Sequence, residues 1–227
     1  MNGGWLGAMD RSAVDLKMMG RCIELSAEAV EQRELPFACV ICRDGEIVAE
    51  AINRVVQDGD VTRHAEIQAI SQAQRVLGRS DLSDCTIYSN VEPCPMCSFA
   101  VRETRIARVV YAISSPMMGG LSKWNVLGDK EISDVMPEVF GDKPEVAAGL
   151  HYRQAAAVWQ RWNPIFWLAI RFRRCLAEPA PNDAYLTLQI RQPKQRLLQR
   201  LRASLSQTFT RKRPAAAVVP ARSDARP

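Results

Sequence analysis

A chain of 227 residues with 47% hydrophobic and 24% charged side chains can bury a core and is too apolar to stay unfolded, so one domain plus a tail is the natural division. Seven cysteines, an odd number, with no basic-then-apolar leader at the start, argue against a disulfide-stapled secreted scaffold and for a reducing, cytoplasmic setting. The net charge of +5 is uneven: residues 186–227 hold ten Lys/Arg against one acid, whereas 1–185 hold 20 basic against 24 acidic residues.

Residues 1–11 read as a loose lead-in. Over 12–33, Val14, Leu16, Met18, Met19, Cys22, Ile23, Leu25 and Ala29 recur at helical spacing, with Ser12 placed as the cap. Two strands, 37–42 and 47–52, flank an Asp44-Gly45 pair that signals a hairpin. Asn53 closes the second strand, and a polar loop over 57–62 leads into a second helix, 64–76, with Thr62 as its cap and Ile67, Ile70, Ala73 and Val76 along its inner side. Residues 85–89 have the alternation of a strand. Pro93 and Pro95 bracket Cys94 and mark an abrupt strand-to-helix turn, which places Cys94 and Cys97 in the first turn of a third helix. There the helix dipole and unpaired backbone N–H groups favour thiolates. A valine-rich strand follows over 108–112.

Beyond Ile113 the pattern is weaker. Residues 114–129 form a glycine-hinged loop in which Trp124 and Asn125 are either a lid or a packed surface turn. Residues 144–162 suggest a helix, with His151 an ordinary member, broken at Asn163-Pro164. A Trp/Phe-rich segment then runs to Cys175, and its apolar stretch over 164–170 is far too short to span a bilayer. Trp159, Trp162, Phe166 and Trp167 read as a helical extension docked on the body rather than as a stacking platform for RNA. Residues 179–183 look like a linker, 194–207 like a basic amphipathic helix, and 211–227 like disordered chain. The expected division is therefore 12–178, a folded domain with a helical C-terminal extension, and 179–227, a linker with a basic, partly disordered tail.

Chemistry concentrates between His64 and Cys97. His64, Cys94 and Cys97 are three ligands of the kinds zinc takes at a catalytic site, where a fourth position stays open for water. Glu66 lies two residues after the histidine, near enough to serve that water without binding the metal. Zinc lowers the pKa of bound water to about 7, and a neighbouring carboxylate can then move protons. A closed zinc knuckle would need a fourth protein ligand. Cys39 and Cys42, three apart in a strand, point to opposite faces and read as core. The spacing His-x-Glu…Pro-Cys-x-x-Cys is the signature of zinc nucleobase deaminases.

The stretch 35–112 resembles the cytidine/deoxycytidylate deaminase superfamily, in the branch of guanine, cytosine and tRNA adenosine deaminases. The matching residues are Pro36-Phe37, Asn53, His64-Ala65-Glu66 and Glu92-Pro93-Cys94-Pro95-Met96-Cys97; Ala38-Cys39 replaces the Gly-Ala common in that family. The resemblance implies a three-layer α/β/α sandwich around a central mixed β-sheet, Zn2+ on His64, Cys94 and Cys97, Glu66 as the proton shuttle, Asn53 as a substrate contact, and a homodimer. Phe37 is a candidate to stack on the base. The expected activity is zinc-dependent hydrolytic deamination of a nucleobase or nucleoside. A tRNA-specific adenosine deaminase, with the basic tail holding the polyanion, is the alternative, and a catalytically silent zinc module that binds RNA is a third reading.

Overall fold

The computed structural model describes residues 3–179, with side chains from residue 11 onward. The expected helix at 194–207 and the disordered end at 211–227 lie outside the described residues.

Five strands form one mixed sheet in the order β2-β1-β3-β4-β5. Strand β1 (Ala38–Arg43) pairs antiparallel with both β2 (Glu46–Ile52) and β3 (Thr86–Val91). Strand β3 runs parallel to β4 (Arg108–Ile113), and β4 runs parallel to β5 (Glu145–Ala148). The β1–β2 hairpin turns on Asp44 and Gly45, both at positive φ (52° and 82°), the pairing an Asp-Gly sequence favours.

Alternation along the central strands divides the core in two. Ala38, Val40 and Cys42 of β1, Tyr88 of β3, and Val110 and Ala112 of β4 face one layer, with α1 (Gly3–Glu31) and α6 (Tyr152–Trp162). Cys39, Ile41, Ile87, Val109 and Tyr111 face the other, with α3 (Ala65–Leu77). Val101 of α4 (Pro95–Glu103) joins this second layer, whereas Ala65, Ala69 and Ala73 let α3 lie close on the sheet. The result is the three-layer α/β/α arrangement expected, and Cys39 and Cys42 are core residues on opposite faces.

Several local expectations are corrected. Helix α1 begins at Gly3, so Ser12 lies inside it and residues 3–11 are helical rather than a loose lead-in. A short helix α2 (Val55–Asp58) occupies part of the polar loop; the Glu34 carboxylate accepts from the backbone N–H groups of Val56 and Gln57 at its start. Residues 145–148, read as helix, are β5: pairing with β4 outweighs the helical preference of the two alanines. His151, at φ 57°, is the left-handed N-cap from which α6 begins, not a helix interior residue. A further short helix, α5 (Glu131–Val135), lies between β4 and β5. The Asn163 side chain accepts from Phe166 N–H and caps α7 (Pro164–Phe172), whose Trp167 is buried against the α1/α6 layer, as a docked extension should be.

Candidate metal centre and active site

Two helix N-termini and one strand converge here. His64 is the N-cap residue of α3, in extended backbone (φ −66°, ψ 147°), and its side chain makes no capping hydrogen bond, so the imidazole is available. Thr62 is not the cap: its backbone N–H and hydroxyl both donate to Asp60 Oδ1. Cys94 is the N-cap residue of α4 with Pro95 beginning the helix, and Ser98 N–H donates to the Cys94 carbonyl at 2.8 Å. Cys97 follows one turn on, fully buried.

His64 Nδ1 lies 3.5 Å from each sulfur, and the two sulfurs lie 3.5 Å apart. Three donors on a tetrahedral zinc at the usual bond lengths of about 2.0–2.3 Å stand roughly 3.4–3.8 Å from one another, so this triangle fits zinc. The Cys94 thiol is pulled down to about 4, first by its hydrogen bond with Cys97 and then by His64, against desolvation. Cys97 is pushed up by the same contact, by burial and by Glu66. The hydrogen bond to Cys94 raises the His64 pKa, although burial opposes it. Metal binding displaces protons from these groups, because zinc takes thiolate and neutral imidazole.

Glu66, in the first turn of α3, is 5% exposed. Ser89 Oγ donates to its Oε1 at 3.0 Å, and its Oε2 lies 3.5 Å from Cys97 Sγ. Burial, then the negative charge at Cys94, raises its pKa. No Arg or Lys pairs with it among the described residues.

Asn53 is buried, and its Nδ2 donates to Glu34 Oε2 at 2.8 Å. A carboxylate only accepts, so this contact fixes the amide orientation and turns Oδ1 away from Glu34. Phe37 packs edge-on against Trp159, ring centroids 5.0 Å apart, in the layer of α1 and α6. The structure thus brings His64, Glu66, Cys94 and Cys97 together and gives Phe37 a packing partner elsewhere.

Residues 12–113 match the model of the cytidine and deoxycytidylate deaminase zinc-binding region. A tRNA-specific adenosine deaminase of Streptococcus pyogenes serotype M1 is 33% identical over 116 residues, covering 51% of this chain and 68% of that protein. The chain belongs to this deaminase family. A guanine deaminase of Bacillus subtilis is 48% identical over 77 residues, 34% of this chain and 49% of the relative. A Deinococcus radiodurans protein named tRNA(Ile)-lysidine synthase is 38% identical over 139 residues, 61% of this chain; the chain spans only 22% of that relative's length. Among solved structures, one from a study of A-to-I editing by tRNA:A34 deaminases has a TM-score of 0.56 at 30% identity, covering 63% of this chain and 98% of the other. A guanine deaminase from Nitrosomonas europaea has a TM-score of 0.53 at 28% identity, covering 66% and 84%. The cofactor of this family region is zinc, in agreement with the donor triangle.

Two buried side chains around the site, Ser89 and Glu34, were given no role by the sequence, and Glu92 was matched only as a member of the cysteine motif. Glu92 is 4% exposed and accepts from the backbone N–H groups of Ser115, Leu121 and Ser122 and from the Ser122 hydroxyl. Its carboxylate therefore pins the loop after β4 beside the Cys94 turn. Gly119 is needed there, because a Cβ would sit 2.1 Å from Glu92 Oε1. Trp124, 59% exposed, stands on the surface of that loop. The only sequence signal was the placement of Glu92 inside the cysteine motif.

Proposed function

We propose that the chain is a hydrolytic deaminase that converts the exocyclic amine of a nucleobase or nucleoside to a carbonyl, consuming water and releasing ammonia. The observation that carries this reading is Glu66, a buried carboxylate beside the donor triangle with no Arg or Lys partner among the described residues. A silent zinc module has no use for such a group, since an unpaired buried carboxylate costs stability. Zinc, when bound, supplies a Lewis acid that makes water nucleophilic near neutral pH. Glu66 takes the water's proton and returns protons to the ring nitrogen and the departing amine. Ser89 holds Oε1, which assigns the proton transfers to Oε2, the oxygen nearer Cys97.

Asn53, its amide oriented by Glu34, is the proposed substrate contact through Oδ1. We assign Phe37 to packing rather than to the base. A free base or nucleoside is the favoured substrate, supported by 48% identity to the Bacillus guanine deaminase and by an acidic body that offers a polyanion little attraction. The second reading is tRNA adenosine deamination, supported by the streptococcal relative and by the ten Lys/Arg of residues 186–227. A cytoplasmic homodimer completes the proposal, and Met96 and Phe99, exposed on α4, offer apolar surface for a second copy. Ammonia release over guanine, cytosine, adenosine and cytidine, run beside an inosine readout on tRNA, tests the choice. Ammonia from a free base without inosine in tRNA supports the first reading, inosine alone supports the second, and neither product removes both.

A further inference from the structure

Helix α7 is apolar on two opposite faces. Trp167 and Ile170 pack against the α1/α6 layer. Ile165, Leu168 and Phe172, at i, i+3 and i+7, form a second stripe that is 82%, 71% and 89% exposed. A helix apolar all round is ordinarily buried, so this second stripe is a surface awaiting an occupant.

The charge around it says what that occupant is. Residues 152–178 contain five arginines and one acid, Glu178, although the whole of 1–185 is net acidic. Arg153, Arg161, Arg171, Arg173 and Arg174 are all exposed, and no carboxylate pairs with them among the described residues. The Arg171 guanidinium lies over the Trp167 ring at 5.6 Å, on the flank of the stripe. A second copy of this chain docked face to face would set these arginines against themselves. Nucleic acid would satisfy the arginines but leave two aliphatic side chains and a phenylalanine without an apolar partner. An anionic bilayer surface serves both, with headgroups for the arginines and the upper acyl region for the stripe.

We propose that α7 docks the protein on anionic phospholipid surfaces, lying in the interface with Ile165, Leu168 and Phe172 inserted and the flanking arginines on the headgroups. No described helix is long and apolar enough to cross a bilayer.

Flotation of the full chain tests this, using vesicles of phosphatidylcholine alone and vesicles with about one third phosphatidylserine. The protein binds the anionic vesicles and not the neutral ones. Leu168→Asp/Phe172→Asp weakens that binding at least about tenfold, the scale of burying two large apolar side chains, with the melting temperature unchanged. If this pair fails to fold, Leu168→Ser/Phe172→Ser replaces it with the same expectation. Arg173→Glu/Arg174→Glu weakens binding and makes its salt dependence shallower. Vesicle binding untouched by the apolar variants would overturn the proposal and leave the basic C-terminal segment as the lipid-binding element. Equal binding to neutral vesicles would also overturn it, as would variants that lose tRNA retention or self-association while vesicle binding persists.

Discussion

Two buried acids lie on opposite sides of β3, reached by adjacent residues of that strand. Tyr88 points into the α1 layer and donates to Asp15 Oδ1 at 2.7 Å; Ser89 points the other way and donates to Glu66. Asp15 also receives two bonds from Arg108, at 2.7 and 2.9 Å, and Arg108 reaches Glu145 at 3.1 Å. Burial and the bond to Asp15 push the Tyr88 pKa up, so its hydroxyl remains a donor. The cavity of about 560 Å³ whose wall includes Asp15, Tyr88 and Arg108 presents groups already committed to one another. Glu66 has one hydroxyl donor and, among the described residues, no guanidinium or ammonium partner. A charge that the fold satisfies ties a helix to a sheet. The charge that it leaves partly unsatisfied is the one to which we assign the proton transfers.

Substitutions that reverse these roles test the contrast. The largest effect is expected from Cys97→Ala, which removes one corner of the donor triangle. Zinc content falls from about one per chain toward none, ammonia release falls to background, and the gain in melting temperature on adding zinc disappears. Metal analysis and a melting curve with and without zinc read this out; full zinc retention would count against the assignment. On the other side of β3, Arg108→Ala removes the guanidinium that donates twice to buried Asp15 and costs about 3–5 kcal/mol of stability, the scale for breaking a buried pair. Activity per folded molecule is unchanged. A loss below 1 kcal/mol in denaturant unfolding, against that ~3–5 kcal/mol scale, would show that the pair is better solvated than its geometry indicates.

Smaller effects follow at the margins of the site. Glu92→Gln turns an amide N–H₂ toward donors that a carboxylate oxygen now serves, and costs about 1–3 kcal/mol. Amide exchange over 115–122 should quicken; unchanged protection there would refute the pinning role. The smallest effect concerns His151, whose pKa burial lowers below the ordinary 6.5. The unfolded chain then takes up the proton first, so this contribution is present above about pH 6.5 and is lost as pH falls through it. His151→Asn, which suits the left-handed backbone, should keep stability at pH 8 and flatten the decline below about 6.5. An unaltered pH profile would show that His151 does not contribute to the pH dependence of stability.

What could be read in advance follows the range of the forces involved. The donor triangle was legible because its placement is local: Cys94 and Cys97 are three residues apart at a proline-opened helix, and His64 and Glu66 share another helix start. The layered fold was legible from alternation in β1, β3 and β4. Strand β5 was not, because Glu145-Val146-Ala147-Ala148 has little strand character of its own and is extended by pairing with β4. The start of α1 was missed because Gly3-Gly4 argues against helix by local preference. Ser89 and Glu34 carried no signal, and Glu92 only its place in the cysteine motif, because each acts on a partner 19 to 30 residues away. Spacing within one element carries no trace of such pairings.

The most direct measurement is made on Glu66→Gln, which keeps shape and a hydrogen-bonding carbonyl but removes the charge. Zinc content, melting temperature and ammonia release on the best substrate are compared with the unaltered chain. We expect full zinc occupancy, a melting temperature equal or higher because a poorly compensated buried charge is gone, and turnover lower by at least about 10²-fold. Ammonia release near the original rate, or joint loss of zinc and fold, would contradict the assignment of Glu66.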